Sequence, residues 1–199
     1  MRNILLCGWL LLPIGAWAYH EGPGQDRVAR DDTADVLSDA LAAWTEGSFG
    51  EATELYTRAL EVLPKDDIDA ARRIRLELNK ARMESSELPT ARDDLESLVD
   101  ELVAEQAAGE EIDQELLADA RKALASSQYY ITWLMRLEGL PREEWEPEIE
   151  AARQNYRLLA EQAAGDEQLV KLHQSDLESA VRLARMELED LQGLPLPSQ

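Results

Sequence analysis

The side chains that most often carry covalent or metal chemistry are sparse in this chain of 199 residues, which has two histidines and one cysteine. His20 lies in a segment of glycine, proline and charged residues. His173 has Leu169 and Leu177 four residues away on either side, so it belongs to the edge of an apolar helix face rather than to a ligand set. Neither histidine accompanies a nucleophile, and the pattern predicts no catalytic and no metal site.

Acidic residues are abundant, but their spacing does not suit catalysis. Asp93-Asp94 and Glu143-Glu144 are adjacent in sequence, so on a helix they point about 100° apart and cannot share a proton. The run 65–69 lacks the glycine and the glutamate of a calcium-binding EF-hand loop. It favours instead the positive end of a helix dipole, by ~0.3 to 1 kcal/mol for each acid. Glycines are isolated, without phosphate-binding spacing. We therefore expect no enzymatic activity and no cofactor.

The formal charge of −21, from 41 acidic and 20 basic residues, bears on the partners. An acidic surface repels phosphate, which argues against nucleic acids and anionic membranes. Two explanations of the acids stay open: they keep helix faces soluble, or they attract a basic partner. Both are compatible with protein partners.

The N-terminus has the pattern of a secretory signal peptide. Arg2 precedes a short apolar run over 4–14, and Ala16-Trp17-Ala18 is a small-x-small cleavage site. Cys7 lies before the apolar run ends, which is the wrong place for lipid attachment. We predict a signal peptide over 1–18, cleavage after Ala18 and no membrane insertion afterwards. The mature chain then has no cysteine and is periplasmic or secreted, with a bacterial character.

The rest of the chain reads as helices separated by glycine and proline. We predict a flexible leader over 19–31, a helical domain over 32–192 and a disordered tail over 193–199. Asp32 or Thr33 is the expected N-cap of the first of seven helices. The last helix carries an apolar stripe from Leu169 to Leu191 that covers the open end. One long coiled coil is the alternative, but the breaks favour short antiparallel helices.

The stretch 47–64 has a recognisable packing pattern. Ala52, Tyr56 and Ala59 place a small, a large and a small side chain on one helix face. With their neighbours they resemble the tetratricopeptide repeat (TPR), a helix-turn-helix unit of about 34 residues; the positions in register are Ala40, Gly47, Phe49, Ala52, Tyr56, Ala59 and Pro64. A weaker second copy, in which Ala91 follows Ala52 by 39 residues, departs from the pattern at Leu98.

The resemblance implies an all-α solenoid of antiparallel helix pairs, with a groove lined by the first helix of each pair. Carried over position by position, the groove residues are Leu37, Leu41, Trp44, Arg73, Leu76, Lys80 and Met83. Two interpretations of Arg73 and Lys80 stay open. They hold a carboxylate of a bound peptide, or they form ion pairs within their own helix.

Aromatic residues are concentrated in the fifth predicted helix and at the start of the sixth. Tyr129 and Trp133 stand four residues apart on one face, and Trp145 follows the next turn. They either form core or provide an aromatic surface for a partner.

These patterns predict a non-enzymatic adaptor or scaffold of the cell envelope that binds proteins or peptides. The alternative is an obligate structural subunit of an envelope complex, or a homo-oligomer. A monomer with polar outer faces favours the adaptor, and self-association favours the subunit.

Overall fold

The computed structural model describes residues 23–163 and 165–191. They contain seven α-helices and no strand, and the helices run as follows: α1 Pro23–Thr45, α2 Phe49–Val62, α3 Ile68–Glu84, α4 Leu88–Ala108, α5 Gln114–Leu137, α6 Arg142–Gln162 and α7 Glu167–Arg185. A 3₁₀ turn over Leu188–Leu191 follows. The prediction of an all-α fold of seven helices is confirmed, and the packing of consecutive helices agrees with a helical repeat. The signal peptide over 1–18, with its cleavage after Ala18, and the tail over 193–199 lie outside the described residues.

The chain divides into two compact units, one ending at Leu78 and one beginning at Asn79. In the first unit α1 packs against α2; in the second, α4 to α7 pack in consecutive pairs and the 3₁₀ turn packs against α5. We predicted one helical domain over 32–192, whereas the contacts divide the chain into two compact units whose boundary lies within α3. The hydrophobic pattern of α3 does not reveal this boundary, because the boundary depends on which distant residues each half of the helix contacts and not on a break in the helix.

The helix breaks follow the residues that predicted them. Gly47 has φ of +78°, its N–H donates to the carbonyl of Trp44, and the next N–H, of Ser48, donates to the carbonyl of Ala43 at 2.9 Å. Only a glycine adopts this left-handed conformation without strain, and the two bonds satisfy carbonyls at the end of α1. At the end of α2, Leu63 is extended because the following Pro64 disfavours the helical conformation.

The prediction of a flexible leader up to residue 31 is wrong for residues 23–31, which are helical. Pro23 is the first residue of α1, a position that tolerates proline because its missing N–H would have no helical partner. Thr33 is not the N-cap. It is buried within the helix, and its hydroxyl donates to the carbonyl of Ala29 at 2.6 Å. The sequence contained no glycine or proline between Gly24 and Thr33 that would have prevented this extension.

The prediction of a last helix reaching Leu191 is also wrong, because α7 ends at Arg185. Arg136 of α5 donates to the carbonyls of Leu183 and Met186, which are the groups that a longer helix would need for its own hydrogen bonds. The chain then turns, and Leu191 is buried in the second unit's core. Leu169, expected on the buried stripe, is exposed.

Helix α6 contains a proline in its second turn. The helix begins at Arg142, so Pro147 lies beyond the first turn, where a proline would have had no hydrogen bond to lose. The helix forgoes one hydrogen bond there. Trp145 and Ile149, on either side, are buried, so tertiary packing maintains the helix through the proline.

Each unit has its own core. In the first, Ala40, Ala52, Tyr56 and Ala59 are buried, as the small-large-small pattern predicted. In the second, one cluster joins α5, α6, α7 and the 3₁₀ turn; its buried members are Ala125, Tyr129, Trp145, Ile149, Ala152, Tyr156, Leu159, Ala180, Leu183 and Leu191. Ser126 of α5 and Tyr156 of α6 are hydrogen-bonded inside it at 3.2 Å.

Candidate functional site

The first unit contains a groove of about 290 Å³ lined by α1, by the segment between α2 and α3, and by α3. Its residues are Arg30, Thr33, Ala34, Leu37, Leu63, Asp67, Ala70, Arg73 and Ile74. The volume lies below the ~300–1,000 Å³ typical of sites for small molecules.

The positions along α1 explain why one side of the groove is apolar. Ala34, Leu37 and Leu41 recur at intervals of three and four residues, so they share one face of the helix. Leu37 is half-buried, whereas Leu41, one turn further, is 59% exposed. The apolar face that lines the groove thus continues along α1 to Leu41, whose side chain is accessible to solvent.

An ion pair lies among the residues of the groove. The Nε of Arg30 is 3.2 Å from the Oδ2 of Asp67, and both side chains are partly exposed. Pairs of this kind contribute ~0–1 kcal/mol to stability, so a partner displaces or rearranges them at little cost. Arg73 is exposed and already interacts with another group of the chain.

The structure brings together some of the predicted groove residues. Leu37 and Arg73 line the same groove, and Leu41 shares the face of Leu37. Trp44 is half-buried, with its ring against Phe49 in an edge-to-face contact at 5.1 Å between centroids, so it closes the α1–α2 turn as well as bordering the face.

Leu76 does not belong to this surface, and its prediction is wrong. It is 3% exposed, because α3 directs this side chain into packing rather than towards solvent. Lys80 and Met83 are half-buried and lie in the part of α3 that belongs to the second unit. Lys80, like Arg73, interacts with another group.

The aromatic surface is likewise corrected, because its members are core residues. Tyr129 and Trp145 are buried and belong to the second unit's core cluster. Trp133 is half-buried against that cluster, and its indole N–H donates to the carbonyl of Leu191 at 3.5 Å. The chain turns back after α7 and adds Leu191 to the same cluster, a contact that no local sequence pattern predicts. Of the two interpretations of the aromatic stretch, the structure supports core.

Arg30, Ala34 and Asp67 are groove residues that sequence reasoning missed. Arg30 and Asp67 were assigned to a leader and to a helix N-terminus. The available signal was the spacing of Arg30, Ala34 and Leu37, which continues the helical face of α1 backwards by two turns.

The second unit contains a set of ionisable side chains that the groove does not use. His173 and Asp176 of α7 are both buried. Asp93 pairs with Arg92 at 3.0 Å, and Glu143 and Glu144 lie in the first turn of α6.

Arg92 also connects two helices of this unit. Its guanidinium forms two hydrogen bonds with the carboxylate of Glu148, at 2.8 and 3.2 Å, and these bonds join α4 to α6. The Glu148 bonds raise the pKa of Arg92 against the opposing effect of burial. This is a structural pair, in the bidentate geometry that arginine forms with carboxylates.

Within the described residues, no three histidine, cysteine or acidic side chains come together as a metal site. Over the same residues, no helix is both long and apolar enough to span a membrane. No protein-family model, no curated protein and no solved structure matches the chain.

Proposed function

We propose that this chain is a non-enzymatic TPR-like adaptor of the bacterial cell envelope that binds a protein partner through the groove of its first unit. The observation that supports this function is the continuity of the apolar surface from the groove to Leu41. Leu41 is 59% exposed and lies on the helix face that lines the groove, and apolar grooves of this kind accept the apolar side chains of a bound peptide. The occupant is a segment of an envelope protein with an apolar side chain for the groove.

The test compares two leucine variants of the tagged, full-length protein after mild cross-linking in its native cells. Leu41→Glu adds a charge beside the groove, and Leu158→Glu adds the same charge at an exposed leucine of the second unit. Both positions are accessible, so both variants should fold. We expect the wild type and Leu158→Glu to recover the same partner in similar amounts. Leu41→Glu should recover at least tenfold less of that partner than the wild type. Equal retention by the two variants would exclude the groove as the binding surface.

The second candidate function is a permanent subunit or a homo-oligomer, and one observation favours it. Leu134 and Leu137, one turn apart on α5, are 41% and 40% exposed. Light scattering of the purified chain distinguishes the two functions. A monomer across the micromolar range supports the adaptor, and a stable dimer that Leu134→Glu dissociates supports the subunit.

A further inference from the structure

The middle of α7 presents an unusual side chain to the second unit's interior. His173 is 7% exposed, and its ring atom Nδ1 is buried without a hydrogen-bond partner among the described residues. The neutral tautomer that carries its proton on Nε2 leaves only a lone pair unsatisfied there. A protonated imidazole places an N–H on Nδ1, so that a buried donor and a positive charge both lack compensation.

The charged and titratable groups around His173 act in different directions. Lys122 of α5 disfavours the imidazolium, and Asp176, one turn along α7, favours it. Tyr156 of α6 lies near the same carboxylate. Burial raises the pKa of the Tyr156 hydroxyl, and the charge of Asp176 raises it further. The net result is that burial, with the help of Lys122, lowers the pKa of His173 despite Asp176.

Both ends of α7 are held by hydrogen bonds to side chains of the chain. At its start, the carboxylate of Asp166 accepts from the N–H groups of Gln168 and Leu169. At its end, Arg136 donates to the carbonyls of Leu183 and Met186. His173 therefore lies between two fixed ends, where α7 meets the other helices of the unit.

We propose that His173 is an acid-sensitive contact: it packs α7 into the second unit only while its imidazole is neutral, and its protonation opens α7. Opening uncovers the apolar surface beneath Ala180 and Leu183, which are fully buried. The direction follows from proton linkage. An open state binds the proton more tightly than the closed state, so stability of the closed state is lost as pH falls through the ordinary pKa of histidine, ~6.5.

The size of the effect follows from the same linkage. If the closed state stays neutral, lowering the pH from 7.5 to 5.5 increases the opening of α7 by up to about tenfold. Hydrogen exchange of the full chain, followed by mass spectrometry and corrected for the intrinsic pH dependence of exchange, measures this opening peptide by peptide. We expect the increase in peptides of α7 and not in those of α1 and α2.

His173→Gln is the matched variant, since glutamine is neutral at both pH values. We expect its α7 peptides to show no increase. A wild-type increase below about twofold, or the same increase in the variant, would overturn the proposal. Should His173→Gln not fold, the imidazole of the wild type is titrated by NMR, with His20→Asn assigning the other of the two histidines. A midpoint below 6.5 supports the proposal, and a midpoint at or above that value overturns it.

Discussion

Replacing Tyr56 by alanine should show that the packing of the first unit depends on one aromatic ring. Tyr56 is 5% exposed, and its neighbours along the same face, Ala52 and Ala59, are fully buried. No small residue beside it can fill the space that the ring leaves. Removal of a buried aromatic side chain costs ~3–5 kcal/mol, whereas a whole domain is stable by only ~5–15 kcal/mol. Tyr56→Ala should therefore take much of the first unit's stability.

The measurement is urea unfolding followed by far-UV circular dichroism, with two control variants. Tyr56→Phe keeps the ring and should cost less than ~1.5 kcal/mol, the net contribution of a hydrogen bond. Leu41→Ala, on the exposed side of α1, should cost no more than ~1 kcal/mol, because full burial of a leucine contributes only ~1.5–3 kcal/mol. The reasoning fails if Tyr56→Ala costs no more than Leu41→Ala at an unchanged urea dependence.

Two further predictions concern the beginning of the mature chain and the last helix. Mass spectrometry of the native protein should find Tyr19 as its first residue, because Ala16-Trp17-Ala18 fits a signal-peptidase site; a full-length product or a lipid on Cys7 would contradict export by this signal. Asp166→Ala should destabilise the second unit by ~0.5–2 kcal/mol, because it removes the acceptor of two backbone N–H groups. The neighbouring Glu167→Ala removes an exposed pair with Lys171 and an acidic group of the first turn, and it should cost less than ~1 kcal/mol. Similar losses for the two variants would argue against the cap.

The sequence predicted some residues of the candidate groove and not others. The TPR-like register placed Leu37, Leu41 and Arg73 on a surface, and the structure gives Leu37 and Arg73 one groove. The same register also included Leu76, which is buried. A repeat pattern assigns a face to each position but does not fix how far a helix is rotated against its neighbours. Burial depends on that rotation.

The sequence by itself determined the helices and most of their ends. The glycine at Gly47, the proline at Pro64 and the carboxylate of Asp166 act within a few residues of the backbone that they terminate or cap. Their effect is therefore local. The small-large-small spacing of the 47–64 stretch is equally local, because it describes one face of one helix. These features predicted an all-α chain of seven helices.

Only the tertiary structure decided what lies inside and where the last helix stops. Tyr129 and Trp145 are core residues of a cluster to which α5, α6, α7 and the 3₁₀ turn all contribute. Helix α7 ends at Arg185 where Arg136, distant in sequence, takes the carbonyls of its last turn. Contacts between residues far apart in the chain leave no periodic signal in the sequence, and burial is the sum of such contacts.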